Sequence, residues 1–308
     1  MPLPPEFTEL AKRVRNWGRW GDDDERGTLN LIDADAIRRG TTSAKTGKTF
    51  SLAMALDQQG PQIGVIPGRV NPLHTMVAIN MPYGDTFHTS DDVVTMGLQA
   101  CTHWDALAHA SYDGNLYNGF PASAITAEQG ATHCGIDKVG AIVTRGVLLD
   151  VARVKGVERI EPGYAFTAAD LDAAADAAKV EVQPGDVVLL RTGHVTLFRA
   201  GDKMAYSTAG GAGPSMGTVQ WFHDHGVAAV ATDNITFEVF PGERDAEVFF
   251  PVHLLHLVEM GMTQGQNWDL EALAADCADD GVHEFLLSAS PEPFTGGTGS
   301  PVVPIAIK

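Results

Sequence analysis

Two regimes of hydrophobic and polar positions divide the chain. From "KTFSLAMALD" onward, short apolar runs bounded by Gly and Pro predict strands: "VNPLHTMVAINM", "AIVTRGVLLDVA", "GDVVLLRTG", "VAAVATDN" and, near the last residue, "SPVVPIAIK". Several of these runs are continuously apolar, which predicts strands covered on both faces. Helical signals lie between them. "TAADLDAAADAAKV" opens on Thr167 with Asp170 three residues later, close to a capping box, and turns at Pro184-Gly185 into the next strand. A second helix is expected to start at Pro214 and run through "TVQWFHDHG" to a C-cap at Gly226. A third, "PVHLLHLVEMG", has Pro251 in its first turn and Gly261 at its end. Residues 1–45 read instead as a helical arm carrying Trp17 and Trp20, which suit either a core or a cover for a neighbouring subunit; the arm is expected to pack on another subunit. With no repeat, linker or low-complexity tract, residues 46–308 read as one mixed α/β domain.

Composition narrows the partners. With 39 acidic against 21 basic residues the formal charge is -18, which repels phosphate backbones and anionic membranes and argues against nucleic acid as a ligand. Cys101, Cys134 and Cys277 are odd in number and widely spaced, so a reducing compartment fits best. No apolar segment looks like a secretory leader, and none is long enough to span a bilayer. The expectation is a cytoplasmic protein acting on a small molecule, as a homodimer or homotetramer.

Candidate chemistry concentrates in "MGLQACTHWDALAHASYDG", residues 96–114. In an extended strand His103 and Asp105 share a face about 7 Å apart at the backbone, close enough to grip one ion. Four ligands at positions 99 to 109 of a straight strand would span about 33 Å, so the chain must bend. The Ala and Leu of "DALAHA" allow one helical turn that returns His109 over Asp105 at i, i+4. One carboxylate with imidazoles suits Zn(II), Mn(II) or Fe(II) and lacks the oxygen ligands Ca(II) needs. On spacing alone, two histidines hydrogen-bonded to Asp105 without a metal are the simpler reading, because so short a pattern arises by accident.

"QACTHWDALAH" resembles the HxGTHxDxPxH signature of the cyclase family of metal-dependent hydrolases, which includes bacterial kynurenine formamidase and isatin hydrolase. The match rests on Thr102, His103, Asp105 and His109. It is reinforced by "GDVVLLRTG", by "VAAVATDN", and by "GMTQGQNWDLEAL", so that the similarity runs from about residue 70 onward. The resemblance implies the cyclase fold, a swivelling β/β/α domain. It also implies a first metal held at the positions of Gln99, His103, Asp105 and Gln266, a second metal adding His253, and His109 as the general acid/base. Two positions depart from the pattern: Gln99 stands for a histidine and Gln266 for a glutamate. Amide oxygens are weak neutral ligands, so one Mn(II) or Zn(II) is expected rather than two, and proton traffic must fall to His109 or His253.

Other polar positions carry less. His256 and Glu259 follow His253 at helical spacing and read as a buried polar row, with Glu259 and Asp92 as spare carboxylates. His223 and His225 suit a helix end. His74 and His88 could line a pocket. "GGAGPSM" lacks the lysine of a P-loop and suits a mobile substrate loop, and Cys101 suits a packed small side chain. Trp104, Phe87 and Tyr112 are the candidate apolar wall for a ring. The expected activity is hydrolysis of a C–N or C–O bond in a small amide, cyclic imide, lactam or lactone by a metal-activated water. The rivals are a lyase or cyclase stabilising an enolate with the same metal, and a non-catalytic member that has lost it.

Overall fold

A computed structural model of the chain describes residues 3–242 and 247–308. In chain order its main strands are β1 (Thr49–Ser51), β2 (Leu73–Tyr83), β3 (Phe87–Thr95), β4 (His103–Asp105), β5 (Val143–Asp150), β6 (Val187–Arg191), β7 (Ala229–Thr232), β8 (Gln264–Gln266), β9 (Glu284–Ser288), β10 (Gly299–Pro301) and β11 (Ile305–Ile307). Nine of them form one sheet in the order β1-β11-β9-β5-β6-β7-β8-β4-β10. Its middle, β5-β6-β7-β8, is parallel, and the strands on either side of it are antiparallel. The remaining pair, β2 and β3, makes a separate hairpin.

The continuous apolar runs are explained by two cores, one on each face of this sheet. Val147, Leu149, Val188, Leu190 and Val230 enter the first core. Their neighbours Leu148, Val187, Leu189, Ala229 and Ala231 enter the second. Successive side chains point to opposite faces, so a strand buried on both sides has no polar position to spare. The hairpin is the exception. Its apolar residues lie exposed on both faces rather than covered.

The helical signals hold with one shift. The capping box of Thr167 and Asp170 opens a helix over Ala168–Ala178. The second helix is Met216–Asp224, capped by Ser215, whose hydroxyl accepts from the Gly217 N–H. Pro214 belongs instead to a two-residue strand pairing with Phe166, which uses the segment before the helix starts. The third begins as an α-turn, Pro251–His253, and continues as a π-helix, Leu254–Met260, ending at Gly261 with φ +66°. No helix among the described residues is long and apolar enough to cross a membrane.

The N-terminal helix, Pro5–Val14, turns its apolar stripe into its own chain. Its apolar stripe of Phe7, Leu10, Ala11 and Val14 is buried in the first core, against the Met216–Asp224 helix and the π-helix. The Trp17 indole donates to the Val258 carbonyl at 2.7 Å, and Asn16 donates to the Met260 carbonyl at 2.9 Å. A second tie follows at Gly27, where the Thr28 N–H donates to the Gly261 carbonyl at 2.9 Å. A Cβ on Gly27 would lie 1.9 Å from that carbonyl oxygen, and Gly27 itself has φ +60°. Gly27→Ala is therefore expected to cost more than about 2 kcal/mol, from overpacking added to a left-handed backbone. Gly47→Ala, at φ +78° with open space around it, should lose only the backbone part. Thermal melts of the two variants beside the parent check the difference.

Candidate functional site

Strand β4 carries the candidate chemistry. Alternation sends His103 and Asp105 to one face and Trp104 to the other, and all three are buried. Antiparallel β8 places Gln266 opposite His103 and Gln264 opposite Asp105. The chain leaves β4 through a single 3-10 turn, Leu107–His109, which returns the His109 Nε2 to 3.7 Å from Asp105 Oδ1. This is the bend that the ligand spacing required.

Hydrogen bonds fix the tautomers. His103 Nδ1 lies 2.7 Å from the Cys101 carbonyl, which can only accept, so Nδ1 carries a proton and Nε2 is left facing Asp105 Oδ1 at 3.4 Å. The second imidazole is held more tightly. His253 Nδ1 donates to Glu238 Oε1 at 2.5 Å, and the Val252 and His253 backbone N–H groups donate to the same carboxylate at 3.0 and 2.8 Å. Its Nε2 accepts from the Gln266 amide nitrogen at 3.5 Å, and that nitrogen also donates to Asp105 Oδ2 at 2.6 Å. A continuous chain of hydrogen bonds thus runs Glu238–His253–Gln266–Asp105.

Two buried atoms at its end have no hydrogen-bond partner among the described residues, His103 Nε2 and Asp105 Oδ1. A nitrogen lone pair facing a carboxylate oxygen is unfavourable unless positive charge lies between them, either a proton on the imidazole or a cation. The 3.4 Å separation is close to that of two ligands on a tetrahedral ion with bonds near 2.1 Å, about 3.4 Å. Imidazole with carboxylate suits a borderline cation. Among the described residues no three His, Cys, Asp or Glu side chains gather into a complete cage. His103 and Asp105 therefore fit a single ion whose remaining ligands would be neutral groups.

Burial alone would raise the Asp105 carboxyl, but His109, His103 and His253 around it hold it well below the usual carboxylate range. Burial lowers the pKa of His109 although Asp105 opposes the shift, so its ring is neutral at neutral pH. Burial pushes the Cys101 thiol up to about 11, which leaves it a packed side chain and no nucleophile.

Above His109, His253 and Gln266 opens a cavity of about 490 Å³ with an apolar wall that includes Ile63, Ile66, Ile235, Phe249 and Phe250. The wall carries one cation, Arg69, whose guanidinium has no hydrogen bond or ion pair among the described residues. Sequence reasoning missed Arg69 and Glu238. The signal for Arg69 was a lone basic residue in the Gly- and Pro-rich "GVIPGRVNP"; for Glu238 it was a single acid within the apolar "ITFEVF".

The structure brings His103, Asp105, His109, His253 and Gln266 together. It sets Gln99 to one side, where the amide nitrogen donates to Thr298 Oγ1 at 3.3 Å and packs on Gly299, the register partner of Asp105. The three residues expected to form a substrate wall do not line the cavity. Trp104 must point away from its strand neighbours His103 and Asp105; it is buried edge-on to Trp268 and donates to the Ala289 carbonyl. Phe87 stands at the hairpin turn against Tyr83. Tyr112 packs on Phe7 and donates to Glu259.

Glu259 is bound by Arg15 at 2.6 and 2.9 Å, and Asp92 pairs with His74 at 2.7 Å, so neither is a spare metal ligand. His256 is buried, and burial lowers it to about 3. His225 donates from Nδ1 to the Trp221 carbonyl at 2.8 Å as the cap of its helix, as expected of a helix-end histidine. The glycines of "GGAGPSM" admit a backbone rather than a phosphate: a Cβ on Gly210 would come within 2.1 Å of the Phe240 carbonyl oxygen.

A mixed α/β sheet with a His/Asp pair beneath an apolar cavity is the class of protein defined by these features. Residues 49–239 match the model of the cyclase family, and the chain belongs to that family. The crystal structure of a novel cyclase aligns with 100% of this chain and 100% of its own, at 39% identity and a TM-score of 0.89. Isatin hydrolase A from Ralstonia solanacearum aligns with 84% of this chain and 91% of its own, at 20% identity and a TM-score of 0.61. A predicted metal-dependent hydrolase from Bacillus stearothermophilus aligns with 84% and 97%, at 18% identity and a TM-score of 0.53. The last two share the fold. No curated protein matches the chain.

Gln266→Glu gives a direct test of the His103–Asp105 pair. It replaces an N–H donor to Asp105 by a second buried carboxylate, and in metal-free buffer it should lower stability by about 1–3 kcal/mol. Mn(II) or Zn(II) at about 100 times its dissociation constant should then restore about 2.7 kcal/mol, more than the parent gains at the same concentration. Melting curves with and without each metal read both effects. A variant indifferent to metal would remove Gln266 from any cation site.

Proposed function

We propose that the protein is a hydrolase that adds water across a C–N or C–O bond of a small amide, cyclic imide, lactam or lactone bearing an anionic group. The observation that carries this reading is the unpartnered His103–Asp105 pair set under His109 at the floor of an apolar cavity. Membership of the cyclase family and the fold shared with isatin hydrolase A support it.

In this reading His103 and Asp105 would hold one divalent ion, Mn(II) or Zn(II), which when bound supplies an electrophile for the carbonyl and a water of lowered pKa. His109, neutral and beside Asp105, accepts the proton of the attacking water at Nε2 and returns it to the leaving nitrogen or oxygen. Asp105 stabilises the imidazolium formed in between. Glu238 keeps the proton of His253 on Nδ1, so the other nitrogen stays a lone pair turned toward Gln266 and the cavity. Arg69 answers the anionic group of the substrate, since a guanidinium without a side-chain partner among the described residues, on a largely apolar wall, gains most from a counter-charge. The phenyl rings of Phe249 and Phe250 pack on the substrate body and exclude water. A second reading, a site working without metal, is favoured by Gln266, which turns its N–H rather than its oxygen to Asp105.

Four measurements on protein purified without chelators test the proposal. Elemental analysis is expected to give about one divalent ion per chain, the number one carboxylate can anchor. Hydrolysis of carboxylated amides and lactones in ¹⁸O-labelled water should place the label in the product, which a lyase would not do. His109→Asn should keep fold and metal while kcat falls by roughly 10²–10⁴. Arg69→Met should raise KM for carboxylated substrates by about 10- to 100-fold, the worth of a charged hydrogen bond, and leave their uncharged analogues unaffected. Full turnover by His109→Asn with metal retained would overturn the mechanism.

A further inference from the structure

The short helix Lys203–Thr208 carries the first of a row of buried polar groups that the hydrolytic reading does not use. The Tyr206 hydroxyl donates to Asn267 Oδ1 at 2.6 Å, Asn267 Nδ2 donates to the Cys101 carbonyl at 3.2 Å, and the same carbonyl accepts from His103 Nδ1 at 2.7 Å. A carbonyl oxygen only accepts, so the Asn267 amide must turn its nitrogen to Cys101 and its oxygen to the phenol, which burial keeps protonated. The row therefore has one direction, and it ends on the imidazole beside Asp105. All four residues are fully buried, and no side-chain polar atom of Tyr206 or Asn267 lacks a partner.

Most members are also held from outside the row. The Tyr206 ring packs against His194 and Phe198 at centroid distances of 5.0 and 5.7 Å, and His194 Nε2 donates to the Tyr206 carbonyl at 2.8 Å. Asn267 stands at φ +60°, a left-handed conformation that asparagine tolerates better than most residues. Its N–H donates to the Asn234 carbonyl at 2.9 Å, and its carbonyl accepts from the Thr102 hydroxyl. The Cys101 peptide is the loose member. It precedes β4, and its carbonyl receives no backbone N–H among the described residues, whereas the next carbonyl, that of Thr102, accepts from the Val302 N–H at 3.1 Å.

A phenylalanine at position 206 would pack the same ring without burying a hydroxyl. What the polar row adds is control of the Cys101 peptide. If that peptide rotated, His103 Nδ1 would lose its acceptor, and the imidazole would gain by moving its proton to Nε2 and donating to Asp105 Oδ1, now 3.4 Å away. That tautomer has no lone pair to offer a cation. We propose that Tyr206 and Asn267 are positioning residues that hold the Cys101 carbonyl against His103 and so keep the His103 Nε2 lone pair turned to Asp105. The consequence for cation binding rests on the reading that His103 and Asp105 form the ion site; the tautomer does not. The helix that carries Tyr206 also supplies Ser207 and Thr208 to the cavity wall, so one short element sets both the wall and the imidazole at its floor.

Tyr206→Phe and Asn267→Gly test the proposal, glycine being free to adopt φ +60°. Nitrogen-15 NMR of the histidine rings is run on metal-free protein above the ordinary titration range of imidazole, with the His103 signals assigned by their loss in His103→Gln. The parent is expected to carry the His103 proton on Nδ1, and both variants should show a population protonated on Nε2. Calorimetric titration with Zn(II) should give a dissociation constant raised about 10- to 100-fold in each variant, the usual effect of removing a group that orients a ligating histidine. A parent with the proton on Nε2, or variants that keep the parent's tautomer, would overturn the proposal whatever happens to the affinity. Variants that change tautomer yet bind Zn(II) as the parent does would overturn it as well. A parent that takes up no Zn(II) would defeat the ion-site reading instead, and the tautomers would still decide the role of Tyr206 and Asn267. Tyr206→Phe, which loses a single oxygen, decides alone if Asn267→Gly does not fold.

Discussion

The Asp105 carboxylate has no contact with solvent, and a buried anion must be answered by its surroundings. Gln266 answers one oxygen with an N–H, while His103 and His109 face the other. The strand cannot yield to relieve the charge, because β4 is paired on both sides, to β8 and to β10. Close approach on each side is made possible by a glycine. A Cβ on Gly265 would meet Trp268 Nε1 at 2.6 Å, and one on Gly299 would meet the Gln99 amide at 2.5 Å and the Trp104 carbonyl at 2.9 Å. The charge, its donors and the narrow pairing of three short strands form one unit, and the cavity takes its floor from that unit.

The parallel strands deliver the rest. Beyond the carboxyl end of β7 the chain supplies Ile235 and Thr236 to the cavity and then Glu238 to His253, the place where open parallel sheets hold their ligands. Asp233 holds the neighbouring strand end in step by accepting from the Thr192 N–H and hydroxyl and from the Gly193 N–H, at 2.9, 2.6 and 2.7 Å. The loop after β6 is tied across the cavity by Ser207, whose hydroxyl donates to the Pro61 carbonyl. Each wall is thereby anchored to a strand end or to the opposite wall.

What could be read in the chain followed from period and spacing. Continuous apolar runs marked β5, β6 and β7, and the i, i+2 and i, i+4 relations of His103, Asp105 and His109 set the site, because both depend on residues close in sequence. Trp104 was misread as part of the substrate wall, although the alternation carried the answer: a residue between two cavity-facing strand positions belongs to the core. Glu238 and Arg69 were not legible: the partner of Glu238 lies 15 residues away in a different turn, and Arg69 reaches the cavity from a loop with no periodic pattern. Phe87 and Tyr112 looked like a wall because they flank the motif. A hairpin of exposed apolar residues and a half-buried Tyr–Glu contact gave them other work, and neither leaves a local trace. The N-terminal arm misled for the same reason, its amphipathic stripe being equally suited to its own core and to another chain's.

Gln266, in place of a glutamate, changes the electrostatics of the site in one direction. A carboxylate at position 266 would stand beside Asp105 and give the cavity floor two negative charges; the amide leaves one, with two imidazoles against it. Inside the cavity mouth the nearest full charge is then Arg69. The field of a protein of charge -18 acts against an approaching anion at long range, but salt screens it within about 8 Å, whereas Arg69 acts at contact and on a largely apolar wall. The same substitution that weakens the grip on a cation thus removes the charge most opposed to an anionic ligand. In the proposed reading Gln266 and Arg69 act together: one lowers the negative charge under the substrate, and the other supplies the positive charge beside it.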